Sequence, residues 1–119
     1  MDYGGVYSNL ADLKTFMEAL LIKKNLLKPP SLNIMLSIGA KPDGSNRYGY
    51  GIQRKFIERE PHAGWGHAGR DLGYTANLFY FPTKNTAHIF LINYGTDAKS
   101  RLRDVFYDFQ NELLDITLK

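Results

Sequence analysis

The sequence predicts an α+β fold: an antiparallel sheet, three strands of it in this chain, packed with a long C-terminal helix and with N-terminal helices. Three observations carry this reading. Leu102, Val105, Phe106, Phe109, Leu113 and Ile116 recur at helical spacing, with Arg101, Arg103, Asp104, Asp108 and Glu112 mostly facing away. Two runs rich in aromatic and β-branched residues, 73–81 and 86–94, are separated only by Pro82-Thr83-Lys84-Asn85, short enough for an antiparallel hairpin. Leu10, Leu13, Phe16, Met17, Leu20 and Leu21 line one face of an N-terminal helix.

The remaining elements follow in order. Ser8 or Asn9 suits the N-cap of the first helix, and Asp12 its first turn. Pro29-Pro30 stops a helix, and Ser31 is placed to cap a short second one carrying Leu32, Met35 and Leu36. Residues 39–46, Gly-Ala-Lys-Pro-Asp-Gly-Ser-Asn, read as a loop. In 48–57, Tyr48, Tyr50, Ile52 and Phe56 alternate with Gly49, Gly51 and Gln53, which predicts a first strand. Between it and the hairpin lies Gly64-Trp65-Gly66-His67-Ala68-Gly69-Arg70-Asp71-Leu72-Gly73-Tyr74, read as a glycine-rich turn. Pro82 falls at a strand end, where its missing N–H does no harm. The C-terminal helix packs its apolar stripe most simply on the hairpin sheet.

Length and composition fit a single domain, 1–119. Apolar residues make up 44% and charged residues 23%, with seven Phe, eight Tyr and one Trp to fill a core. The net charge of +3 is spread thinly and forms no basic stripe, so nucleic acid is not an expected partner. Disulfides and thiolate metal sites are excluded because there is no cysteine. No apolar run reaches the roughly 18 residues of a membrane span. The N-terminal Met-Asp-Tyr-Gly-Gly-Val-Tyr-Ser-Asn-Leu has no signal-peptide pattern, which leaves the compartment unknown.

Few residues are candidates for chemistry. His62, His67 and His88 match no common zinc spacing, and no carboxylate joins them, so neither metal nor cofactor is expected. His88 shares a strand face with Phe90 and Ile92 and reads as a core or edge histidine, and His62 follows Pro61 in a solvated turn. His67 differs, because Gly66, Ala68 and Gly69 leave the backbone around it open to a ligand. Asp71 pairs with Arg70 or caps the turn. No serine sits in a nucleophile elbow.

In order, the chain carries Gly4-Gly5, the helix "VYSNLADLKTFMEALL", "YGYGI", "GHAG", "GYTANLFYFPTKNTAHIFLINYG" and a closing amphipathic helix. From Gly4 to about Leu114 this order resembles the C-terminal part of the penicillin-recognising serine hydrolases: class C-like β-lactamases, D-alanyl-D-alanine carboxypeptidases, penicillin-binding proteins and their esterase relatives. The resemblance implies a partial β-lactamase/transpeptidase-like fold and hydrolysis of an amide or ester through an acyl-serine. His67-Ala68-Gly69 corresponds to the family's Lys/His-x-Gly motif on the strand lining the cleft. His67 would then be catalytic, facing a substrate carboxylate or assisting proton transfer. Ala68, Gly69 and Arg70 would bind substrate, with Gly69 admitting its backbone and the Arg70 N–H serving as an oxyanion donor.

The family's nucleophile motif is absent. The residues three after Ser8, Ser31, Ser37, Ser45 and Ser100 are Ala11, Ile34, Ala40, Tyr48 and Arg103, so there is no Ser-x-x-Lys; Tyr48 and Tyr50 are followed two later by Tyr50 and Ile52, so neither opens a Tyr-x-Asn. Arg70-Asp71-Leu72 stands where many relatives carry small residues and is expected to crowd or recharge the cleft. With no nucleophile, the chain alone is expected to be inactive. Met1 falls just before a Gly-Gly that lies deep in the relatives' fold, so a fragment is expected. Its partners would be a missing N-terminal half or a second copy, through an unpaired 86–94 edge, and the complete protein would take a peptidoglycan-like peptide, β-lactam or ester. The alternative is a stand-alone binding or oligomerisation module on the same scaffold. Relatives are commonly periplasmic, extracellular or in the cell envelope.

Overall fold

A computed structural model describes residues 5–38 and 47–119, and in it four strands form one antiparallel meander in the order β1-β2-β3-β4. They are β1 (Gln53–Lys55), β2 (Gly64–Arg70), β3 (Thr75–Phe81) and β4 (Thr86–Ile92). Before them come α1 (Leu10–Met17), continued as a π-helical turn at Glu18–Ile22, and α2 (Pro29–Met35); after them comes α3 (Arg103–Thr117). The fold class is α+β as expected, but the sheet has four strands, not three. The predicted loop 39–46 lies outside the described residues.

The additional strand is β2, the stretch whose glycines read as a turn. Glycine carries little strand propensity, and here neighbouring atoms demand it. A Cβ on Gly66 would lie 1.7 Å from the Leu78 carbonyl oxygen of β3.

The first predicted strand shrinks in return. Of 48–57 only Gln53–Lys55 pairs with β2, while Tyr48 folds back to bridge Gln53. Gly51 (φ 72°) and Phe56 (φ 61°) take left-handed backbone that ends the extended run on either side. Ile52 and Phe56, placed on one face by the alternation, consequently enter different cores.

Asn9 caps α1, its Oδ1 accepting from the Asp12 N–H at 2.9 Å. At α2, Pro29 and Pro30 open the helix, with Lys28 as its N-cap, so Ser31 lies inside it.

Alternation along the strands sends side chains to two cores. Trp65, Leu78 and Tyr80 join Met17, Leu20, Leu21, Leu32 and Ile52 on the α1 face. Phe79 and Phe81 join Phe56, Leu114 and Leu118 on the α3 face. α3 packs on the sheet as expected, through Phe106, Gln110, Leu114 and Leu118, of which only Phe106 belongs to the predicted stripe. Leu102, Val105, Phe109 and Ile116 are exposed because the sheet meets α3 about a quarter-turn around its axis.

His88 is buried on the α3 face, where its Nε2 is 3.0 Å from the Thr117 hydroxyl, and burial pushes its pKa down. The fold thus favours neutral His88, while the unfolded chain binds a proton below about pH 6.5. Its contribution to stability is complete above that pH and is lost as pH falls through the depressed folded value. Urea melts across this range should show a decline that His88→Gln flattens. In the same assay Gly66→Ala should cost about 3 kcal/mol or more, from backbone overlap, and Gly69→Ala under about 1 kcal/mol. A Cβ on Gly69 would meet only the Ala76 Cβ, at 3.9 Å.

Candidate active site

Because β1 pairs with β2 only from Gly64 to Gly66, the outer edge of β2 is open from His67 onward among the described residues. The other edge of these residues is bonded to β3 in continuous register, Arg70 opposite Thr75. The open edge is partly served by a side chain: Gln53 Oε1 accepts the Ala68 N–H at 3.2 Å. Since amides alternate along a strand, Arg70 N–H, two residues on, points the same way as Ala68 N–H. It passes beyond the end of β1. Asp71 N–H turns back to Tyr74 O at 2.9 Å, in keeping with that alternation.

His67 is exposed on the α1 face of this edge. The Tyr48 hydroxyl and His67 Nε2 are hydrogen-bonded, with the rings edge-on at 5.5 Å and 73°. The same turn at 48–51 forms a shallow cleft of about 280 Å³ lined by Ser37, Ile38, Tyr48, Gly49 and Tyr50. A histidine held by a phenol, beside a backbone donor on a rigid strand, can exchange a proton and stabilise developing negative charge.

Arg70 occupies the opposite face. Its guanidinium lies over the rings of Tyr107 (5.0 Å) and Phe106 (5.7 Å) of α3. Its Nε and Nη2, and both polar atoms of the neighbouring buried Asn77, have no hydrogen-bond partner among the described residues. The expectation that Arg70-Asp71-Leu72 crowds the cleft is therefore corrected: alternation takes the Arg70 side chain away from His67. Asp71 caps its own turn, Oδ1 accepting from Leu72 N–H at 2.7 Å, and Leu72 is exposed.

A family profile described as Beta-lactamase matches residues 1–111. The chain belongs to the Beta-lactamase family. No curated protein and no solved structure matches it.

The matched region of this Beta-lactamase family chain contains His67, Ala68, Gly69 and Arg70, and the structure puts all four on β2. His67 and Gly69 share one face, Ala68 and Arg70 the other, so Arg70 reaches the open edge only through its N–H. The other histidines lie elsewhere. His62 Nδ1 is 2.6 Å from the Thr83 hydroxyl, and His88 is in the α3-side core. Among the described residues no cluster of His, Cys, Asp or Glu has the makings of a metal site.

Sequence reasoning missed Tyr48 and Gln53, the two side chains that hold His67 and Ala68. Both sat in a run read as plain strand. The signal that locates them is the pair Gly49 and Gly51, which lets the chain double back. If the Tyr48 O–H donates to Nε2, neutral His67 carries its proton on Nδ1. Imidazole ¹⁵N NMR should show that tautomer, and Tyr48→Phe should shift the population toward Nε2–H.

Proposed function

We propose that the chain supplies the His-x-Gly strand of a serine hydrolase of the β-lactamase/D,D-peptidase type, which cleaves an amide or ester through an acyl-serine. The observation that carries this is the open edge of β2, where exposed His67 stands three positions before the outward N–H on Arg70. A substrate carbonyl set against this edge would develop its oxyanion on that N–H while the serine oxygen bonds to carbon. The leaving group would depart with a proton, and water would then release the acid and regenerate the serine. His67, held by Tyr48, would bind the substrate's carboxylate or move a proton, and Gly69 would let the substrate backbone approach.

The nucleophile comes from another segment or chain, since no Ser-x-x-Lys occurs in these 119 residues. That same absence favours the second reading, a non-catalytic module that keeps the scaffold for binding a peptidoglycan-like peptide. In both readings the isolated chain forms no acyl-enzyme. Intact-mass measurement after incubation with a penicillin and with an activated ester should show an unmodified chain, and a stable acyl adduct would overturn both. The reading frame upstream of the Met1 codon separates them: Ser-x-x-Lys followed by Tyr-x-Asn supports the hydrolase, and an immediate stop codon supports the module.

A further inference from the structure

α3 meets the sheet along two flanks. Phe109 leans on Phe90 of β4, whereas Tyr107 leans on Arg70 of β2. On the β2 flank, cations gather without matching acids. The guanidinium carbons of Arg70 and Arg103 lie 5.0 and 5.2 Å from the centre of the same Tyr107 ring. Among the described residues Arg103 pairs only with its exposed neighbour Asp104, at 3.7 Å, and Arg70 and Lys55 form no ion pair. Asp71, beside Arg70, caps its own turn. Burial and the Arg70 charge together hold the Lys55 ammonium below its ordinary pKa, and Glu58 offsets them only in part.

The polar atoms left over are those an anion takes. Nε–H and Nη2–H lie side by side along one edge of a guanidinium, spaced to meet two oxygens of one anion. On Arg70 both of these nitrogens are buried and have no hydrogen-bond partner among the described residues. Asn77 lies two residues from Thr75, the pairing partner of Arg70, and so shares its face of the sheet. Its side chain is 1% exposed and both polar atoms are likewise unpartnered. Unmet buried donors and adjacent like charges are each destabilising, and an anion relieves both.

We propose that Arg70, Arg103 and Tyr107 form an anion site on the β2 flank of α3 that takes a phosphoryl group, as inorganic phosphate or as the end of a phosphate monoester. Two guanidinium groups from different elements hold different oxygens of one tetrahedral group, and its second negative charge answers the second arginine. A carboxylate would commit both oxygens and its single charge to the Arg70 edge alone. Lys55 adds attraction from β1, and the Asn77 amide offers a neutral donor from β3. The Tyr107 ring, against both arginines, limits the side-chain freedom lost on binding. The site lies on the face of β2 opposite His67, so it is separate from the open strand edge.

The test is titration of the 119-residue chain with inorganic phosphate at constant ionic strength, chloride being replaced. The Arg70 Nε–H signal in ¹⁵N NMR should shift along a saturable curve, and the melting temperature should rise above its value in chloride. Arg103→Gln and Arg70→Lys should each raise the phosphate dissociation constant about tenfold. The first removes one guanidinium, and the second keeps the charge but loses the paired donors. Arg103 is exposed, and circular dichroism verifies that both variants fold. Acetate should bind about tenfold more weakly than phosphate. Glycerol phosphate distinguishes the sources: affinity equal to that of phosphate supports an ester end, and binding of inorganic phosphate alone supports the free ion. Phosphate acting no better than acetate or chloride overturns the proposal. So does an affinity that neither variant changes, or shifts confined to His67 and Ala68, because these report screening or binding at the strand edge.

Discussion

The candidate site depends on where β1 stops. Gly51 turns the backbone just before Gln53, and Tyr48 is thereby brought back to bridge the strand it precedes. Had residues 48–52 stayed extended, they would have paired with His67 to Arg70 and closed that edge, leaving neither a free amide on Arg70 nor a phenol beside His67. The reversal does two things at once. It withholds a strand, and it supplies two side chains in its place: Gln53 on the Ala68 amide and Tyr48 on the imidazole. An edge served by side chains keeps its shape without being filled, which is what a binding strand needs.

How much of this could be read in the sequence follows from what each segment's pattern reports. Residues 73–94 were legible as a hairpin because aromatic and β-branched side chains suit a strand buried on both faces, and Phe79, Tyr80 and Phe81 are buried. The C-terminal helix was legible for its period, but its phase was not. Phe106 and Phe109 are equally apolar, and only contact with the sheet chooses 106, 110 and 114 over 105, 109 and 116. β2 was illegible as a strand because its glycines report a close approach by β3, a tertiary fact that local propensity reads as a turn. His67 was found from its small neighbours; Tyr48 and Gln53 were not, because their role appears only once the chain has doubled back.

Alternation on β2 also resolves a conflict between bulk and access. The strand must leave room beside Gly69 for a ligand, yet it carries an arginine next door. Because successive side chains leave opposite faces, Arg70 can be stacked on Tyr107 and Phe106 of α3 while its amide serves the other purpose. The side chain then anchors the strand end that its own N–H occupies. The sequence pattern Gly-Arg-Asp, which reads as crowding, therefore places the arginine's bulk against α3 and away from His67.

Among the described residues the sheet has two open edges, and β3 separates them. β3 is hydrogen-bonded on both sides along its whole length and buries Thr75, Asn77, Phe79 and Phe81 against α3. A surface docked on β4 therefore meets a strand whose neighbour is already fixed, and the open part of β2 lies one strand further on, on the far side of that neighbour. The two cores on either face of β3 thus hold the geometry of the open part of β2 constant.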